Sequence, residues 1–327
     1  MSSENSPKWA TDLDNSEWEK RFLSLKKASA IHGLDDWKTL DGEEKSAVSR
    51  KIVALLDDEN SRVRSQAAAA IANLHISEAR EALVTALADP NEWVRVQVAD
   101  ALATVGNPAL AQVIADHLQD EQETHVRATL VKTLGCIGNE KMFPVLALYL
   151  EDPDGRVRAN CVEALAKLKL EKSELKKSLV KMLNDPSNRV RANIALALVS
   201  IGDKKGREII CDMLNSDEEY MRASALYALG ELNASEDRER IVKFFADPSW
   251  LVRKNAVRSI SKHGKKAVPF LLESIKSACI QTRLGILDAL RMIKDVSSRK
   301  VVIELLEDES GEVRSKAEET LDILDAL

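Results

Sequence analysis

The sequence predicts an all-α fold, an α-solenoid of nine helix-pair repeats behind an N-terminal helical cap, and three observations predict it. Arginines at Arg64, Arg95, Arg127, Arg158, Arg191, Arg222, Arg253, Arg283 and Arg314 recur at intervals of 30 to 33 residues, and so regular a period marks a repeat architecture. Around each arginine the same columns return: the residue before it is apolar in eight of nine repeats, and the residue seven after it is always Leu or Ile. Aromatic residues are only 4% of the 327, while Ala, Leu, Lys and Glu abound, a balance that favours helices over strands.

Taken in order, residues 1–15 are polar and expected to be disordered. Residues 16–42 carry an amphipathic stretch with Trp18, Phe22 and Leu25. They are expected to fold as a cap over the apolar end of the array, with Trp9 and Trp37 as further cap or docking residues. The array itself occupies 43–327. In each arginine helix the apolar columns fall on one face, and a small residue six after the arginine, such as Ala70, Ala101 or Ala164, lets a neighbouring helix approach. Four of these helices stop before Gly106, Gly138, Gly202 and Gly264, where a left-handed C-cap is expected. Four partner helices stop at Asp89-Pro90, Asp152-Pro153, Asp185-Pro186 and Asp247-Pro248, because proline disfavours helical geometry in the residue before it. Asp58, Asp89, Asp152, Asp185, Asp247 and Asp308 each lie six residues before their arginine. That spacing lets the carboxylate cap the arginine helix while meeting a guanidinium.

This unit of Asp-Pro, then Val-Arg, then Ala and Ala-Leu resembles the HEAT repeat, and its short period is similar to the HEAT-like repeats of the phycobilisome lyase type. The resemblance covers residues 43 to 327. It implies a right-handed superhelix with a concave face, and an Asp–Arg ladder between repeats that is structural rather than catalytic. It says less about function, since such arrays serve many roles.

Several function classes are disfavoured. The net charge is −6; residues 303–327 hold nine acidic side chains against Arg314 and Lys316, leaving the body near neutral. Nucleic-acid binding, which needs a broad basic excess, is therefore not expected. Cys136, Cys161, Cys211 and Cys279 are scattered without a Cys-x-x-Cys pair, which suits reduced thiols of a cytoplasmic protein. No apolar run approaches a membrane span. The HEAT-repeat deoxyhypusine hydroxylases bind iron through His-Glu pairs, and no His-Glu dipeptide occurs here. His32, His75, His117, His125 and His263 show no ligand spacing. The sequence-based expectation is thus a scaffold or adaptor without catalytic activity, metal or cofactor. The alternatives are a chromophore-lyase-like protein and, behind it, a nucleic-acid-binding HEAT protein.

The expected partner is a protein, with its surface along the concave face and rim. Two residues before each arginine stand Arg62, Trp93, His125, Arg156, Arg189, Tyr220, Leu251, Gln281 and Glu312, with Trp250 beside the row. Trp, Tyr and Arg are the side chains most enriched at binding hot spots. Two residues after the arginines runs an uncharged polar row, from Gln66 to Asn255. It can bond an extended peptide or serve as a ladder between repeats. The seventh repeat adds Lys254, Arg258 and Lys262 at i, i+4 spacing on one helical face, a candidate dock for an acidic segment or phosphate; the competing reading is a solvated helix end. Repeat eight departs from the pattern, with Thr282 in the valine column, Gly285 in the polar row and no Asp at the expected place. The oligomeric state is left open.

Overall fold

The structure, a computed structural model, describes residues 7–326 and the side chains of all but 31–33 and 277. It is an all-α repeat protein, without a strand among the described residues. Each of the nine arginines lies on a helix: Ser61–Asn73, Glu92–Val105, Thr124–Ile137, Gly155–Lys167, Asn188–Ser200, Glu219–Leu232, Trp250–Lys262, Ile280–Ile293 and Gly311–Asp325. Helices that are mostly shorter, such as Ala111–Asp120, Lys204–Leu214 and Arg238–Lys243, alternate with them. The chain divides into two compact units, one up to Ser178 and one from Leu179 on. Within each, successive arginine helices pack on one another.

The columns read from the sequence are the core. The apolar residue before the arginine is buried in all eight repeats that have one, and eight of the nine residues seven after it, from Ile71 to Leu290, have no exposed surface. Burying such a side chain stabilises by about 1.5–3 kcal/mol, so the repeated columns favour stacking at every repeat. Between successive arginine helices the approach is tightest at Gly135, where an added Cβ would lie 2.6 Å from Ala164 Cα.

The helix ends depart from expectation in two ways. Gly202 and Gly264 take left-handed backbone (φ 82° and 57°), as do His75, Asn233 and Lys294. Gly106 and Gly138 instead have φ −64° and −74° with extended ψ. Glycine is required there because a Cβ would meet the Leu102 or Leu134 carbonyl oxygen at 2.3–2.4 Å. The Asp column does not cap the arginine helices either. Asp58 and Asp89 accept from the N–H two residues on, and the residue receiving that turn becomes the cap, as Asn60 and Asn91 do.

The polar tail expected over 1–15 is folded from Pro7 on; its first six residues lie outside the described residues. Lys8–Asp12 forms a 3-10 turn with Trp9 and Ala10 buried, and the Ser24 hydroxyl donates to the Trp9 carbonyl. Trp9 is thus buried rather than an exposed docking residue, and Trp37 is half-buried. Helix Trp18–Ala28 packs against Ser61–Asn73 and carries a further rung. Arg21 donates to Asp58 through Nε at 2.6 Å and Nη2 at 3.0 Å, and through Nη1 to the Asn15 and Ser16 carbonyls.

Candidate functional site

The most regular polar feature is the ladder. Arg64 Nε meets Asp89 at 2.6 Å, Arg95 Nε meets Glu121 at 2.8 Å, Arg127 Nε meets Asp152 at 3.1 Å, Arg222 Nε meets Asp247 at 2.9 Å and Arg283 Nε meets Asp308 at 3.1 Å. Each Nη1 turns back to carbonyls five or six residues earlier, as Arg64 does to Asp58 and Glu59. Burial alone would raise the Asp247 carboxyl; hydrogen bonds from Arg222 and the Ser249 amide outweigh it and hold the group below the usual carboxylate range. These rungs join neighbouring repeats and offer no free nucleophile or acid. Two rungs lack their carboxylate. Ser216 stands in the acidic column before Arg222, and Arg191 meets the Met221 sulfur at 3.0 Å instead. Ser277 stands in that column before Arg283, and Arg253 donates through Nη1 to the Asp247 and Pro248 carbonyls.

The polar row is partly a second ladder. Gln66 donates to Ser29 and Asn160 to the Ala128 carbonyl of the preceding repeat, while Thr129 and Asn255 bond their own helices.

The rim row behaves differently. Trp93, Tyr220 and Trp250 are 60%, 61% and 62% exposed. Trp93 stacks on His125 with ring centroids 4.8 Å apart, and Lys254 Nζ lies 4.6 Å over the Trp250 ring. Arg156 folds onto Asp154 at 3.0 Å. Arg189 and Tyr220 line one groove of about 410 Å³ with Tyr227, Leu251 and Asn255.

The basic stretch of the seventh repeat is divided. Lys254 and Arg258 face a cavity of about 550 Å³ together with Trp250, Arg253, Arg291 and Lys316. Lys262 is not part of that lining; it pairs with Glu231 and sits 4.7 Å over the Tyr227 ring. Arg253 belongs to the same basic stretch, whereas Arg291 and Lys316 escaped the sequence reading because they come from two further helices. The one available signal was the missing Asp of repeat eight.

Among the described residues one group could hold a metal ion, namely Glu92, Glu123 and His125, whose donor atoms all lie within 4.8 Å of one another. The spacing rules passed over His125 because its neighbours come from two repeats. The His32 side chain lies outside the described residues.

A stack of helix pairs tied by guanidinium–carboxylate rungs defines an α-helical repeat protein. The family of HEAT repeats matches residues 49–135, 118–176, 143–230, 175–247 and 238–322, and the chain belongs to it. It is 28% identical over 143 residues to the "Uncharacterized phycocyanin operon protein Z" of Pseudanabaena tenuis, covering 41% of this chain and 70% of that one. It is 26% identical over 165 residues to the deoxyhypusine hydroxylase of Drosophila melanogaster, covering 50% of this chain and 54% of the hydroxylase; the chain thus spans about half that relative's length. Among solved structures it resembles the complex of CpcE and CpcF of phycocyanin lyase from Nostoc sp. PCC7120, at 22% identity and TM-score 0.47, over 80% of this chain and 97% of that one. This is a likeness of fold.

These comparisons correct one expectation. The sequence was read as a scaffold without catalytic activity, yet the relatives include deoxyhypusine hydroxylases, which are enzymes. That reading rested on missing motifs, and the absence of a motif speaks only to the chemistry that the motif carries. No described helix is long and apolar enough to cross a membrane.

Proposed function

We propose that the chain works in the cytoplasm as a HEAT-repeat adaptor that holds a protein partner along its arginine-helix face, with Trp93, Tyr220 and Trp250 as anchors. One observation carries the reading. Three large rings stand at or beside the same column, each more than half exposed, where a purely structural array would place polar residues. Exposed aromatics of this kind are the side chains that most often dominate binding energy. Arg189 and Lys254 lie in the lining of grooves beside two of the rings, which supplies polar contacts for orientation. Arg156 and Lys262 already have acidic partners and contribute less.

A second reading, a chromophore-lyase-like role, is favoured by the match to the phycocyanin operon protein. Affinity capture from native extract separates the two when the intact chain is compared with a Trp93→Ala, Tyr220→Ala, Trp250→Ala variant. Mass spectrometry and visible absorbance identify what is bound. A protein held by the intact chain and lost by the folded variant supports the adaptor. A chromophore captured without a protein moves the conclusion to the second reading, and a partner retained fully by the variant rules out the aromatic anchors.

A further inference from the structure

We propose that the cavity beside Trp250 is the dock for an acidic segment of the partner, one that sets two or more carboxylates next to a large apolar side chain. The proposal rests on the adaptor reading and names the chemistry of what that surface takes.

Three helices of the second unit, Trp250–Lys262, Ile280–Ile293 and Gly311–Asp325, contribute to the wall. Five cationic side chains line it, Arg253, Lys254, Arg258, Arg291 and Lys316, against a single carboxylate, Asp288. Arg291 and Lys316 are already neutralised, at 3.0 and 3.5 Å from Asp288 and 3.4 and 2.9 Å from Glu319. Arg253, Lys254 and Arg258 have no carboxylate within ion-pair range among the described residues. For Arg253 the cause is local: its counterparts in five other repeats rest on an acid from the next repeat, and the sequence places Ser277 there.

Three cations without a contacting carboxylate repel each other around one concavity, and an anion entering it relieves that repulsion. Apolar groups complete the wall: Phe245, Val257, Leu284 and the half-exposed Met292. They lower the local dielectric and strengthen the attraction. Gly285 keeps the space open. A Cβ there would meet the Phe245 ring at 2.8 Å, so no side chain fills the position that carries Thr129 or Asn255 in other repeats.

Inorganic phosphate would leave the apolar wall unused. A nucleic-acid backbone would need cations extended along a track, whereas these converge on one cavity in a chain of net charge −6. A short acidic peptide with a bulky apolar residue uses both halves of the site.

The test pans a phage-displayed random peptide library against the intact chain. Selected peptides are titrated by fluorescence anisotropy into the parent, a Lys254→Glu, Arg258→Glu variant, a Met292→Ala variant, a Trp93→Ala, Tyr220→Ala variant and a Lys265→Glu, Lys266→Glu control. The control makes the same charge change in the same repeat, away from the cavity lining. Circular dichroism confirms folding; the four reversed side chains are all exposed. The expected result is enrichment of sequences with acids flanking an aromatic or Leu. Their affinity should fall at least about tenfold in the double reversal, with a flatter salt dependence, fall less in Met292→Ala and change little in the control. Neutral or basic winners, or acidic winners that bind the double reversal normally, overturn the proposal. If winners are lost only in the Trp93→Ala, Tyr220→Ala variant, the cavity is overturned while the adaptor reading stands. No enrichment overturns both. A single-stranded oligonucleotide that outbinds the best peptide and is lost in the double reversal also overturns it.

Discussion

The seam between the first two repeats and the seam after the seventh are built from the same columns but do different work. At the first, Arg64 rests on Asp89, with side chains 14% and 6% exposed. At the second, Arg253 has the same helical position and the same turn-back to carbonyls but no acid to rest on. The comparison shows how a repeat protein makes a site. It omits one member of a structural rung and leaves the other to face a cavity.

Substitutions can break or sharpen that contrast. The largest effect is expected where the stack is tightest. Gly135→Leu forces side-chain atoms into Ala164 and should destabilise the first unit by about 3 kcal/mol, read as a lowered denaturant midpoint. The rungs come next. Asp89→Ala leaves a largely buried guanidinium without its acid and should cost about 2 kcal/mol. Arg253→Ala removes only carbonyl contacts and should cost less than about 1 kcal/mol; equal losses would mean the two seams are not different in kind. Asp58→Ala should act locally at about 1 kcal/mol, releasing helix Trp18–Ala28, and limited proteolysis should then cut within residues 16–42.

The smallest effect is a pH dependence in the seventh repeat. His263 is 3% exposed, and burial, followed by the neighbouring Arg238, holds its pKa below the ordinary histidine range, with Asp237 opposing. The folded state therefore resists protonation more than the unfolded chain does. Stability should be constant above about pH 6.5 and fall as the pH drops from there through the lower folded value. His263→Gln should flatten that slope in acid-titrated thermal melts.

The fold was legible because each repeat obeys the same local rules, so nine noisy signals reinforce one another. Arg21 was missed for the opposite reason. Lys20 replaces the valine, and the next arginine of the ladder, Arg64, lies 43 positions on rather than 30 to 33. Only the geometry, with donors to Asp58, Asn15 and Ser16, reveals it as a rung. The exposed rings of Trp93, Tyr220 and Trp250 were legible as a row. The cavity was not, because helical periodicity groups residues along one helix, as with Lys254, Arg258 and Lys262, whereas the site gathers them across three.

The ladder also has a direction. Each rung takes its guanidinium from the earlier repeat and its carboxylate from the later one, so cutting any seam leaves two unlike stumps. The C-terminal piece starts with a desolvated acid, such as Asp58 at 5% side-chain exposure, whereas the N-terminal piece finishes on an arginine still tethered to its own loop carbonyls. Fragments trimmed from the far end should tolerate the loss better than fragments trimmed from the near end. Transplanted or duplicated repeats should join head to tail in register and mismatch when a broken rung such as that of Arg253 is placed where a whole one is needed.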